Sequence, residues 1–373
     1  MVEEILARLV AFSSVVGTPN APITDWIADH CRSHGARVHV LPGPEGDRAN
    51  LFVTLGPADV PGYVLSGHTD VVPAGEDGWS ADPFTLRVEG ERLYGRGTTD
   101  MKGFLACALA ALPVLAAGPL KRPLHLAFSY DEEAGCRGVP HMIAELPKLC
   151  AKPLGVVVGE PSGLQAVLAH KGKAAARLEI TGRSGHSSRP DQGLNAVHAM
   201  IEVLGAATAH GRDLEGGPFD ARFEPPHSTL QVGIVSGGRA LNVIPDRCIA
   251  EIEVRAIAGA DPGALLEPVR AGLAALEPKG FRVDWTDLSA YPALALPADS
   301  DLARLTGELT GRPPCAAVSY GTEAGLFQEA GYDAVICGPG DIARAHRPDE
   351  FVTRGELAAC LAMILALGER LRA

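Results

Sequence analysis

The sequence predicts an α/β domain in two pieces, residues 1–173 and 289–373, with a ferredoxin-like α+β domain, residues 174–288, inserted between them. Three observations lead there. Short apolar runs in the first part end in a histidine or carboxylate and alternate with segments of helical periodicity, as in an open sheet that carries its chemistry at one edge. The middle of the chain changes to the order strand, helix, strand, strand, helix, strand, which is a complete split-βαβ unit. After Tyr291 the α/β character returns and brings His346, a second histidine that follows a strand as His68 does.

Taken in order, 2–11 and 24–33 read as amphipathic helices, and 37–41 and 50–55 as short strands. The run Tyr63-Val64-Leu65-Ser66-Gly67-His68-Thr69-Asp70 ends a strand in His-x-Asp, which puts His68 and Asp70 on one side of the strand end. A histidine that binds a metal needs its other ring nitrogen held, so His68 reads as a ligand and Asp70 as the carboxylate that orients it. An ordinary hydrogen-bonded pair would look the same, and further ligands at comparable strand ends are needed to decide. Residues 86–94 read as a hairpin around Glu89-Gly90-Glu91. It leads to Gly95-Arg96-Gly97-Thr98-Thr99-Asp100-Met101-Lys102-Gly103 and an apolar helix, 104–117, too short to cross a bilayer. Asp100 is placed either to cap that helix or to be a ligand presented at its start.

Residues 124–129 form a buried strand that ends in Asp131-Glu132-Glu133, and 155–158 another that ends in Gly159-Glu160-Pro161. Adjacent acids repel unless solvated or bound to a cation. In the inserted domain the strands are 177–181, 229–235, 247–257 and 281–288, and the helices 195–209 and 262–276. His186, Asn242 and Arg255 are its chemically notable residues, suited to an oxyanion and a substrate carboxylate or else plain surface of a spacer. The last part holds a helix at 301–310, a strand ending near Tyr320, a helix opening near Thr322, a strand at 334–337, His346, and a terminal helix opened by the capping box Thr353 with Glu356.

Composition narrows the function classes. With 46% hydrophobic and 21% charged residues the 373-residue chain is ordinary for a soluble globular protein. A formal net charge of −12 opposes nucleic acid or an anionic membrane as a partner. Eight cysteines without framework spacing fit reduced thiols in the cytoplasm, and acidic Glu3 and Glu4 stand where a signal peptide would be basic. Neither a dinucleotide-binding glycine pattern nor a Walker loop is present.

The motifs around His68, Asp100, Glu132 with Glu133, Glu160, His186 and His346, found in this order, resemble the metal-dependent amidohydrolase and exopeptidase family over nearly the whole length. The resemblance implies a metallopeptidase-type catalytic domain with two divalent cations, zinc first and cobalt or manganese as alternatives. It makes His68 and Glu160 ligands of one metal, Glu133 and His346 ligands of the other, Asp100 the bridge, Glu132 the catalytic acid/base and Asp70 the carboxylate behind His68. His186 looks like the residue the family's lid, often from a partner subunit, presents to the scissile carbonyl oxygen, and the inserted domain like a lid that also forms a homodimer. Arg255, Asn242, Thr322, Glu323 and Gly338 are the expected substrate-binding residues. The segments Ser319-Tyr320-Gly321-Thr322-Glu323 and Gly338-Pro339-Gly340-Asp341 look most like the branch that deacetylates an N-acetyl amino acid. The competing readings are an N-succinyl, other N-acyl or dipeptide substrate, and a metal-stabilised binding protein without catalysis.

Overall fold

The computed structural model describes residues 1–75 and 78–373. In chain order the elements are α1 (Val2–Val10), α2 (Ala21–Ser33), β1 (Arg37–Pro42), β2 (Ala49–Leu55), β3 (Tyr63–His68), β4 (Arg87–Glu89), β5 (Arg92–Tyr94), α3 (Gly103–Ala116), β6 (Leu124–Ser129), α4 (Val139–Leu149), β7 (Gly155–Pro161) and β8 (Ala169–His170). There follow β9 (Gly172–Thr181), α5 (Ala196–Leu214), β10 (Thr229–Gly237), β11 (Arg247–Ala256), α6 (Pro262–Ala274), β12 (Arg282–Tyr291), β13 (Leu294–Ala295), α7 (Asp301–Thr310), α8 (Ala324–Glu329), β14 (Ala334–Gly338), β15 (Phe351–Thr353) and α9 (Arg354–Arg372). The chain divides into one unit of residues 1–169, 294–317 and 322–373 and another of 170–293 and 318–321. The expected joints at 173/174 and 288/289 fall inside β9 and β12, whose ladder continues past them.

The first unit is built on a mixed sheet in the order β1-β2-β6-β3-β7-β14. The strands β6, β3, β7 and β14 run parallel, so their carboxyl ends share one edge. Buried on both faces, these strands are the continuous apolar runs the sequence displays. Helix α3 is apolar all round and packs against α1 and α9 in the core. Its preceding turn lengthens the apolar stretch to Thr98–Ala116, long enough by length and composition to cross a bilayer, contrary to expectation; 83% of that window is buried inside the protein, which makes it a core helix. The Thr353–Glu356 capping box opens α9.

Two elements differ from expectation. Helix α4 carries its buried residues Val139, Met142, Ile143 and Leu146 at helical spacing, but Pro140 in its first turn and Pro147 near its end read in the sequence as breaks. The strand expected to end near Tyr320 is reduced to isolated bridges, Val167 with Cys315 and His170 with Val318. Pro313 and Pro314 supply no ladder donors there.

In the second unit β10-β11-β9-β12 form an antiparallel sheet, and the order β9-α5-β10-β11-α6-β12 is the split-βαβ pattern. Alternate residues Leu178, Ile180, Ile252 and Val254 form one core with Met200 and Val203 of α5 and Leu266 and Val269 of α6. Asn195 caps α5 by accepting from the Val197 and His198 amides, and Asp261 caps α6 by accepting from Gly263.

Candidate metal centre

Register brings the chemistry of the first unit together. His68 stands opposite Ser129 at the end of the β3–β6 ladder, and Ser66 stands opposite Val158 on β7, so His68 and Glu160 leave the sheet side by side. The His68 Nε2 lies 3.6 Å from a Glu160 oxygen. After β6 the chain turns through Asp131 in the left-handed region, φ 51°, a conformation Asp tolerates better than most residues. Asp131 is held by Arg48 and by the Gly17 amide. The turn sets Glu132 and Glu133 over the sheet edge, where both of their amides donate to the Asp70 carboxylate, at 3.2 and 3.1 Å.

Asp100 faces both histidines. Its Oδ1 is 3.0 Å from His68 Nε2, and its Oδ2 is 3.3 Å from His346 Nε2, which is also 3.0 Å from Glu133 Oε1. Its backbone is non-helical and its side chain does not cap α3. Donor atoms of His68, Glu132 and Glu160 lie within 4.8 Å of one another, as do those of His68, Asp100 and Glu133. The geometry therefore gathers His68, Asp100, Glu132, Glu133, Glu160 and His346, and by proximity alone it does not separate Glu132 from the ligands.

Burial makes this cluster expensive without a counter-charge. Desolvation, partly opposed by His68 and reinforced by Glu133, Asp100 and Asp70, pushes Glu132 up to about 8. Desolvation and Asp100 likewise raise Glu160 well above the carboxylate range. Hydrogen bonds to Asp100 and Glu133 raise His346 to about 10. His68 is raised despite burial, by its hydrogen bond to Asp100 and the Glu160 and Asp70 charges. The two imidazoles and four carboxylates gathered there are mixed nitrogen and oxygen donors suited to zinc, cobalt or manganese, so the residues present fit a pair of divalent cations.

Several expected roles change. The group nearest His68 Nδ1 is the Asp70 main-chain carbonyl, at 2.9 Å, while the Asp70 carboxylate stands at 3.6 Å and serves mainly as acceptor for the acidic turn. Glu323 is 1% exposed, and its two oxygens accept from Ser66 Oγ and Ser129 Oγ at 2.6 and 2.7 Å. It therefore ties β3 to β6 beneath the cluster. Thr322 is fully buried and accepts from the Ala324 amide. Gly338 is a packing glycine: a Cβ there would come within 1.9 Å of the Gly159 carbonyl.

In the second unit, the Ser188 amide donates to His186 Nδ1, at 3.2 Å, so in the neutral ring the proton sits on Nε2. His186 is exposed and bridges to Val243. Two donors of Arg255 are held, Nε by Glu253 and Nη1 by the Tyr291 hydroxyl. Arg255 lies on β11 opposite Lys173 and Thr229, whereas Asn242 precedes the other end of β11, where Arg247 stands opposite Thr181. A single fork of Arg255 and Asn242 within one chain is excluded by that length of strand. Two contacts had no sequence signal: Cys136 Sγ donates to Glu132 Oε1 at 3.2 Å, and Glu350 is buried against the Asp100 loop.

A fold gains nothing from burying so much like charge at a sheet edge unless a cation is held there, and the class of protein built this way is the metal-dependent hydrolase. The chain belongs to peptidase family M20/M25/M40, whose model matches residues 64–370. Among curated relatives, an acetylornithine deacetylase of Myxococcus xanthus is 35% identical over 376 residues, covering 96% of this chain and 94% of the relative. Another from Photorhabdus laumondii is 33% identical over 364 residues, covering 94% and 91%. Among solved structures, an M20-family metallo-carboxypeptidase from Sulfolobus solfataricus matches with a TM-score of 0.81 at 18% identity over 100% of this chain and 99% of that one. A dinuclear metal-binding M20 peptidase from Bacillus subtilis matches with a TM-score of 0.65 at 14% identity over 100% and 98%.

Proposed function

We propose that this enzyme removes the acetyl group from N2-acetyl-L-ornithine, giving L-ornithine and acetate, with two divalent cations, zinc first, held by His68, Asp100, Glu133, Glu160 and His346. The observation that carries the substrate reading is the near full-length similarity to relatives named acetylornithine deacetylase. The placement of the two Asp100 oxygens, one toward each histidine, supports the bridging role.

When bound, the cations supply acidification of water and polarisation of the acyl carbonyl. Glu132 takes the proton of the attacking water as its oxygen bonds to the carbonyl carbon, and returns a proton to the amine nitrogen as the C–N bond breaks. Burial holds Glu132 near 8, and a neighbouring positive charge pulls it down, which suits a group that must both accept and give a proton near neutrality. Cys136 donates to one Glu132 oxygen and limits its rotation. His186 donates from Nε2 to the developing oxyanion, a role its tautomer supports, and Arg255, its plane fixed by Glu253 and Tyr291, pairs with the α-carboxylate.

The exposed Ile234 and Val235 on β10, an edge strand, support a homodimer formed through the second unit, and free cysteines throughout support the cytoplasm. A panel of N-acetylornithine, N-succinyl-diaminopimelate, other N-acetyl amino acids and dipeptides, run with zinc and with cobalt, tests the substrate. Fastest turnover of N-acetylornithine is expected, and cleavage of another substrate without it overturns the assignment.

A further inference from the structure

Glu350 is a buried acid of the first unit whose carboxylate accepts four hydrogen bonds. It is 1% exposed. Oε2 accepts from Arg96 Nη1 at 2.7 Å and from the Gly97 amide at 3.1 Å; Oε1 accepts from the Thr99 amide at 2.8 Å and the Asp100 amide at 3.1 Å. Three of the four donors are main-chain N–H groups of the loop that carries Asp100. The pairing around it continues the same join: the Gly95 amide donates to the Glu350 carbonyl, Thr99 Oγ1 donates to the Phe351 carbonyl, and β15 pairs antiparallel with β5, Phe351 opposite Tyr94. Four residues before Glu350 stands His346.

The loop needs such a clamp. Asp100 and Met101 leave helical geometry within the 98–102 turn, and the Asp100 amide finds its acceptor in Glu350. A buried amide left unpaired is destabilising, and a carboxylate is the strongest acceptor available to it. Arg96 balances the charge.

We propose that Glu350 is a positioning residue of the metal centre. Its carboxylate fixes the main chain at Gly97, Thr99 and Asp100 and, through its own place in the chain, sets His346 against Asp100 before any cation binds. This rests on the reading of Asp100 and His346 as ligands. Because Asp100 faces both histidines, loosening its loop weakens both cations together.

The experiment titrates wild-type protein and Glu350→Gln with Zn2+ against a chromophoric chelator and records the visible absorption of the Co2+ forms. An amide keeps the size but presents an N–H₂ group where an acceptor is required. Both cations are expected to bind about 10- to 100-fold more weakly in the variant, with an altered Co2+ spectrum and unchanged far-ultraviolet circular dichroism. Equal affinities and superimposable spectra overturn the proposal. Hydrogen exchange of wild-type protein gives a second arm that does not depend on the variant folding: amides 97, 99 and 100 are expected to be protected before any cation is added. Free exchange there, with protection only after Zn2+, also overturns it. Failure of wild-type protein to bind a divalent cation would instead remove the functional reading, and the exchange arm would still decide whether Glu350 holds the loop.

Discussion

Replacing His125 and Thr54 together, as His125→Leu with Thr54→Val, should flatten the acid dependence of stability. His125 is fully buried on β6, directly opposite Thr54 on β2; its Nδ1 lies 2.9 Å from Thr54 Oγ1, its ring stacks on Phe52, and Nε2 meets no partner among the described residues. Desolvation lowers it to about 4. An unfolded histidine titrates near 6.5, so between pH 6.5 and 4 the unfolded chain binds a proton that the folded chain refuses. Stability is therefore full above about pH 6.5 and is lost as pH falls toward 4, where the loss levels off. With those two values the His125 contribution between pH 7.5 and pH 5 is about 2 kcal/mol. Removing both partners leaves no orphaned hydroxyl behind. Urea unfolding at the two pH values, with chelator present so that cation binding does not enter, measures the difference. The double variant should lose about 2 kcal/mol less than wild type over that interval, and an equal loss in both proteins would show that His125 is not held neutral.

Glu132→Gln should lower kcat by about 10²- to 10⁴-fold while two zinc ions per chain remain by atomic absorption; loss of zinc would make Glu132 a ligand. Zinc uptake should release protons, because His68 and His346 are both raised and must be neutral to bind, so affinity should rise with pH through neutrality; calorimetry in buffers of different ionisation enthalpy reads this, and zero release refutes it. Arg255→Lys keeps the charge but loses the planar donors held by Glu253 and Tyr291, and should raise KM for N-acetylornithine roughly tenfold at unchanged zinc content. Wild-type kinetics there would remove Arg255 from substrate recognition.

Residues that strand geometry alone presents were legible. His68, Glu132, Glu133 and Glu160 each stand where an apolar buried strand stops, and parallel strands must end on one edge, so a list of strand ends was already a list of neighbours. The inserted unit was legible for a related reason, since its alternation survives in Leu178, Ile180, Ile252 and Val254. Its joints were not, because β9 and β12 start or end in residues whose pairing is decided by the partner strand.

Residues whose role depends on what the fold brings opposite them could not be read. Glu350 sits in a polar, proline-containing stretch that looks like a solvated loop, and Glu323 at a helix opening where the sequence suggests substrate contact, yet each is 1% exposed. What decides them is non-local: Ser66 and Ser129 meet Glu323 across some 200 residues or more, and the Asp100 loop meets Glu350 across about 250. A carboxylate can be buried only if donors wait for it, and donors supplied by the main chain leave no mark in side-chain identity. The two acids differ in what their donors belong to. Glu323 is satisfied by hydroxyls on the strands beneath the cluster, so it supports the sheet. Glu350 is satisfied by the amides of the loop that carries Asp100, so Glu350→Gln is expected to weaken cation binding and to leave the sheet intact.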